Sequence, residues 1–250
     1  SLIKMAAEST TRRLLPRILI WTASLAAIFL IWEQTPLDLW FQDLFYNFEQ
    51  GRWLIDRHDQ LPRAVFYYGM KYGVILIGLT CLVLAVSTAS LRNRLPAWLP
   101  RTRRPFAAVV FAIALIPAFV GHLKNLTDVY FPSQITRYGG EMPYVRVFEE
   151  FPEDIPRKGT GHGFPAGHAS GGFALFSLVL LVQSTYRRRL WWTAFAYGSL
   201  MAAYQTVNGA HYISHTLVTI HIAWIFTLLI ALLFKLDPLP PPRRQLEKGT

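Results

Sequence analysis

Residues 106–123 read FAAVVFAIALIPAFVGHL, without one Asp, Glu, Lys or Arg. Crossing a ~30 Å hydrocarbon core takes about 20 apolar residues in a helix. This stretch approaches that length, and similar ones lie at roughly 17–32, 66–88, 168–186, 190–207 and 217–235. In lipid every backbone N–H and C=O needs an internal partner, so such spans are helices. A transmembrane β-barrel would need short segments of alternating polarity, and none is present. The sequence predicts an all-α integral membrane protein. Residues 1–250 form one membrane domain, with six transmembrane helices in a bundle.

Composition points the same way. Hydrophobic residues make up 52% of the 250 and charged residues 16%, against about 25% charged in soluble domains. That excludes a disordered chain and argues against an ordinary soluble enzyme. Net charge is +10, which suits either nucleic acid or an anionic membrane surface. The distribution chooses the membrane. Segment 89–105 holds Arg92, Arg94, Arg101, Arg103 and Arg104 and no acid, residues 187–189 are all Arg, and the tail carries Arg243, Arg244 and Lys248. Twelve of the fifteen acids lie in 33–65 and 124–163. The positive-inside rule then puts both termini, 89–105 and a tight turn at 187–189 in the cytoplasm. Loops 33–65, 124–163 and 208–216 face outward. Arg12, Arg13 and Arg17 precede the first apolar run, but no cleavage site follows it, so an uncleaved span is expected. Segment 33–65 alternates aromatic and acidic residues and reads as an amphipathic element at the outer interface. The lone Cys81 offers no disulfide framework.

Three polar clusters share the outward side. The first starts at Lys124 and continues to Phe131-Pro132 and Arg137-Tyr138-Gly139-Gly140. The second is Pro165-Ala166-Gly167-His168, followed by Ala169-Ser170-Gly171-Gly172. The third runs from Asn208 through His211 to His215. Pro165 can open a helix, small residues allow close backbone approach, and free N–H groups at a helix start suit an anion. Ala166 and Gly167 are therefore expected to cradle a phosphate, and His168 to hold it or give it a proton. His211, beside Gly209, is a candidate nucleophile on phosphorus. Such an imidazole must be neutral and oriented from its other nitrogen. His215 follows four residues later, on the same helical face. His168, His211 and His215 also admit a zinc reading. Lys71, one turn inside the second span, is a functional candidate by default, or a snorkelling one. His221 reads as a packed, hydrogen-bonded core residue.

These clusters resemble the three signature motifs of the type 2 phosphatidic acid phosphatase superfamily of membrane lipid phosphatases, with the pattern K-x6-R-P, P-S-G-H and S-R-x5-H-x3-D. Lys124 and Pro132 match the first motif, Pro165-Ala166-Gly167-His168 the second with Ala for Ser, and His211 the third. The resemblance covers roughly 17–235. It implies a helical bundle and metal-independent dephosphorylation of a membrane lipid through a phosphohistidine, with no cofactor and no nucleic-acid partner. It also implies a bacterial inner membrane location, with the site facing the exterior. Departures fall at Phe131 and Gln205, where the motifs carry Arg, at Tyr204 for Ser, and at His215 for the orienting Asp. On this reading His168, His211 and His215 are catalytic, and Lys124, Arg137, Ala166, Gly167 and Lys71 bind substrate. Arg137 is the first choice to replace a lost Arg, because Arg grips phosphate as a fork. Arg146, Arg157 and Lys158 stand behind it. A lipid-to-lipid phosphotransferase and a non-catalytic lipid-binding or transport protein remain the alternatives.

Overall fold

The computed structural model describes residues 2–239, with side chains from Thr10 onward; the basic tail at Arg243, Arg244 and Lys248 lies outside the described residues. Helix α1 (Leu2–Glu33) leads to a short α2 (Leu37–Asp43) and a hairpin of β1 (Tyr46–Asn47) and β2 (Arg52–Trp53). Then α3 (Gln60–Pro62) continues through a π-helical turn, Arg63–Gly69, into α4 (Met70–Val86). The rest is α5 (Ala89–Asn93), α6 (Arg103–Leu126), α7 (Gly167–Ala174), α8 (Ser184–Val207) and α9 (Ile213–Leu233).

Among the described residues four helices are long and apolar enough to cross a membrane: Thr10–Glu33, Gln60–Val86, Arg103–Leu126 and Ile213–Leu233. The other two expected spans differ. Segment 168–186 is not one helix. After Ala174 the chain tightens into a 3₁₀ helix, Leu175–Leu181, and turns extended at Val182 and Gln183. The apolar piece Gly167–Leu181 is too short to count. It is also the buried centre of the bundle, since Ala169, Phe173, Ala174 and Phe176 are fully enclosed. Small residues make that position reachable. A Cβ on Gly172 would come within 2.8 Å of Gly198 Cα in α8. Helix α8 has the length but not the apolarity, because Tyr197, Tyr204, Gln205 and Thr206 dilute it. Arg187, Arg188 and Arg189 sit in its first turns rather than in a tight turn.

The connections sort to two ends. At one end Arg13 pairs with Asp237, Arg104 donates to the Lys235 carbonyl at 3.1 Å and Arg187 to the Leu239 carbonyl at 2.6 Å. At the other, Glu33 accepts from the backbone of Val147 and Phe148, and Ser133 N–H reaches the Gly209 carbonyl at 2.9 Å. The three polar clusters share this second end. Segment 33–65 is only partly helical. Its hairpin pairs Tyr46 with Trp53, and Gly51, at φ +62°, permits the turn. Tyr46 and Trp53 both pack edge-on or tilted against Tyr138, with centroids 5.2 and 5.0 Å away.

Candidate active site

A cleft of about 570 Å³ opens between α4, α6, α7 and α8, with Lys71, Lys124, Gly167, His168 and His211 at its polar end. Val74, Ile113, Pro117 and Met201 line its apolar part. One wall polar and the other apolar is the shape a lipid phosphate needs.

The second cluster is set by α7. Its helix starts at Gly167, with Ala166 as N-cap, two residues later than a Pro165 start would give. Ala166 is buried, and its N–H is taken by the Thr219 hydroxyl at 3.1 Å. Ala166 thus cannot offer that N–H to an anion, because a buried donor already satisfied has nothing to gain. The backbone N–H groups of Gly167 and His168 follow at the helix start, with no backbone partner among the described residues. Gly167 also lets Lys124 come close: a Cβ there would lie 3.1 Å from Lys124 Nζ. His168 is half-buried and stacked on Tyr67, with centroids 4.3 Å apart and planes 8° apart. Its Nε2 lies 3.2 Å from the Phe66 carbonyl oxygen. A carbonyl only accepts, so Nε2 carries hydrogen and Nδ1 is the nitrogen left for substrate. The π-helical turn at 63–69 presents that carbonyl. Such turns recur at functional sites.

The His211 loop is fixed by backbone. The Gln205 carbonyl accepts from Ala210 N at 2.8 Å and His211 N at 3.2 Å. Gly209, at φ +77°, makes the turn, and a Cβ on it would strike the Trp53 ring at 2.3 Å. His211 is 4% exposed. Burial first, then the Lys124 charge and His215, pushes its proton affinity well below the usual imidazole range. It is therefore neutral, as a nucleophile must be. The orienting role expected of His215 is not met by a hydrogen bond. The two rings stand edge to face at 5.8 Å, both Nδ1 atoms are buried without partners, and His215 does not line the cleft. The zinc alternative has no support in geometry: no cluster of three His, Cys, Asp or Glu able to hold a metal occurs among the described residues.

Arg137 is not in the cleft. Its guanidinium grips Asp43 in a fork, Nε–Oδ1 2.9 Å and Nη2–Oδ2 2.6 Å, and lies over Phe48. That contact holds the Asp43 carboxyl below the usual carboxylate range. The other loop candidates are paired as well: Arg146 with Glu149, Arg157 with Asp128 and Lys158 with Glu141. Lys71 and Lys124 make no ion pair among the described residues, so they are the cations that this cleft offers a ligand. Phe131 and Gln205, at the two Arg positions of the motifs, both line the cleft. Phe131 carries Lys124 Nζ over its ring at 5.6 Å. His221 is held by Ser24 and the Leu217 carbonyl, as a packed residue.

A family model, the PAP2 superfamily, matches residues 105–237, just over half the chain. The protein belongs to the PAP2 superfamily. No curated protein and no solved structure matches it. PAP2 proteins are generally phosphatases, which makes phosphoester hydrolysis the class of chemistry to consider. The matched region contains all three polar clusters. It leaves out α1, α2, the hairpin and α4. Of the unmatched elements, α4 lines the cleft through Lys71, and α2 reaches the start of α9 through Asp38.

Asp38 was not singled out by the sequence. It is 6% exposed, and its two oxygens accept the N–H and hydroxyl of Ser214 at the start of α9. Burial raises its pKa to about 6, against the Ser214 bonds that lower it. A folded-state value above the unfolded one favours the fold most at low pH, and that contribution fades as pH rises through about 6. The shift from 3.8 to about 6 corresponds to roughly 3 kcal/mol. Asp38→Asn keeps a donor and an acceptor for Ser214 without the charge. It is expected to melt above the wild type in detergent at pH 8, and the gap should close towards pH 4. A variant melting lower at pH 8 would show that the carboxylate's bonds outweigh its burial.

Proposed function

We propose that this protein is an integral membrane lipid phosphatase that removes a phosphate through a phosphohistidine at the outer membrane face. The observation that carries the reading is the cleft itself. Lys124, His168 and His211, remote in sequence, meet in one space whose remaining wall is apolar. The substrate phosphate rests on the Gly167 and His168 N–H groups and on Lys124, with Lys71 beside it. Fixed donors of this kind stabilise developing oxyanion charge. His211 attacks phosphorus; the bond from phosphorus to the lipid oxygen breaks, and His168, entering the step with hydrogen on both ring nitrogens, gives that oxygen its Nδ1 proton while its Nε2–H stays on the Phe66 carbonyl. Water then attacks the phosphohistidine, breaking the P–N bond and releasing phosphate, and its proton returns to His168 Nδ1. His215 packs against His211 and fixes its ring by contact.

The six-span topology belongs to the same proposal. The piece Gly167–Leu181, enclosed by its neighbours, and α8, which turns Trp192 and Leu200 outward, cross as the fourth and fifth spans. The basic end lies in the cytoplasm and the site faces the exterior of a bacterial inner membrane.

Phosphate release by purified protein from a panel of lipid phosphates, with and without excess chelator, tests this reading. Release that persists under chelation is the expected result. A labelled lipid product with little free phosphate would move the assignment to a phosphotransferase. No turnover on any lipid would leave a binding or transport protein on a phosphatase scaffold.

A further inference from the structure

Among the described residues no side chain holds His211 by a hydrogen bond. Its Nδ1 is buried without a partner, and His215 meets the ring edge to face at 5.8 Å. The ring is therefore placed through the backbone that carries it, from Gln205 near the end of α8 to Ser214 at the start of α9.

Helix α8 ends at Val207, and a helix end leaves its last four carbonyls without intrahelical partners. The Gln205 carbonyl is taken inside the loop, by Ala210 and His211 N–H. The next two are taken by residues far away in the chain. Gln42 of α2, fully enclosed, donates its Nε2 to the Thr206 carbonyl at 2.8 Å. Ile55, just after β2, donates its N–H to the Val207 carbonyl at 3.5 Å. Trp53 of β2 lays its ring on the turn at Gly209, where a Cβ would come within 2.3 Å of that ring. Tyr46 and Tyr138 back Trp53, with centroids 4.8 and 5.0 Å away. On the other side of His211, Asp38 of α2 accepts the Ser214 N–H at 3.0 Å. The segment is thus gripped before and after His211 by α2 and the hairpin. Gln42, Trp53, Ile55 and Asp38 do not line the cleft, and all four lie outside the region matched by the family model.

We infer that α2 and the hairpin form a brace that aims His211 at phosphorus, with Trp53 and Gln42 as positioning residues. This rests on the phosphatase reading for what His211 does. In-line attack needs the reacting atoms about 3–3.5 Å apart and aligned, and a misplacement of about 1 Å can cost on the order of 100-fold in rate. The phosphate itself is held from α6 and α7, by Lys124 and the N–H groups of Gly167 and His168. Loosening the brace should therefore slow the chemical step and spare binding.

Trp53→Ala, Trp53→Phe and Gln42→Met are compared with the wild type in detergent, at a temperature where melting shows them folded. Trp53→Ala should lower kcat by about 10- to 100-fold and leave KM within about twofold. Trp53→Phe keeps a six-membered ring over the turn and should recover part of the loss. Gln42→Met has similar volume without the donor, so it should lower kcat by a smaller factor at the same KM. It carries the comparison if Trp53→Ala does not fold. Hydrogen exchange reads the brace without turnover. Amides of residues 208–214 should exchange about tenfold faster in Trp53→Ala, while those of α6 stay unchanged, as a local opening requires. If the wild type hydrolyses no lipid and this local loosening is still seen, the phosphatase reading falls and the brace stands. Unchanged exchange at 208–214 in the folded variants, or a raised KM with kcat preserved, would overturn the brace.

Discussion

His211→Ala is expected to lower phosphate release by on the order of 10⁴-fold or more, the scale seen when a hydrolase loses its nucleophile or base. The expectation rests on where the ring sits and not on its identity alone. His211 is enclosed, lines the cleft with Lys124 and His168, and is kept neutral by burial and by the neighbouring lysine. A neutral imidazole attacks without first losing a proton, so turnover should not fall off below pH 6.5 through this residue. The backbone that carries it is independent of its side chain. Two N–H groups fold onto the Gln205 carbonyl, and Gly209 makes the turn. The alanine variant should therefore fold, and melting in detergent will check that. Alkaline denaturing quench of the wild type with substrate labelled in its phosphate should trap label on the protein, since a phosphohistidine survives base and is cleaved in acid, and His211→Ala should trap none. His122→Ala is the control, since His122 is exposed and does not line the cleft. A folded His211→Ala protein with near-normal release would remove His211 from the chemistry.

The parts of this site that were legible in sequence are those whose chemistry and spacing are both local. Pro165-Ala166-Gly167-His168 announces a helix start with close backbone approach. The structure gives that at Gly167, where a Cβ would lie 3.1 Å from Lys124 Nζ. Lys124 and His211 were legible as single reactive groups at the outer ends of apolar runs. Arg137 was misread because its partner is out of local view: Asp43 lies 94 positions earlier, on α2. A basic residue in an acidic loop is as easily claimed by a distant carboxylate as by a ligand. The role of Asp38 was hidden for a related reason. It depends on α2 folding back onto the start of α9, 176 positions later. Apolar length foretold α1, α4, α6 and α9. It failed at 168–186, because a helix at the centre of a bundle meets protein on all sides and need not span lipid by itself. The hairpin at 46–53 gave a weak signal, a single turn glycine at Gly51 between aromatic residues.

Lys124→Ala should cost on the order of 100- to 1,000-fold in turnover, less than loss of the nucleophile, while Arg137→Ala should cost little. A phosphate monoester carries nearly two negative charges. With Phe131 and Gln205 at the two motif Arg positions, the polar end of the cleft has only Lys71 and Lys124 to meet them. Of the two, Lys124 is half-buried and packed over Gly167 and the Phe131 ring, so its ammonium is held in place. Lys71 is exposed and keeps more freedom. A fixed donor aimed at developing oxyanion charge contributes ~3–4 kcal/mol. By transition-state arithmetic that is on the order of 100- to 1,000-fold in rate. Lys124→Ala should therefore lower kcat by that factor, and Lys71→Ala by about tenfold at most. Arg137 has 47% of its side chain exposed and is committed to Asp43. An exposed pair of this kind contributes ~0–1 kcal/mol of stability, so Arg137→Ala should soften the aromatic cap and leave turnover within about threefold, a difference of ~0.6 kcal/mol. Arg103→Ala, at the opposite end of the bundle, should do nothing to turnover. Gln205→Arg completes the test, since it returns a fork to the cleft wall and should offset part of the loss in Lys124→Ala. Strong loss in Arg137→Ala with Lys124→Ala near normal would mean that the outer loop refolds over the substrate and that the phosphate is held there rather than at Gly167.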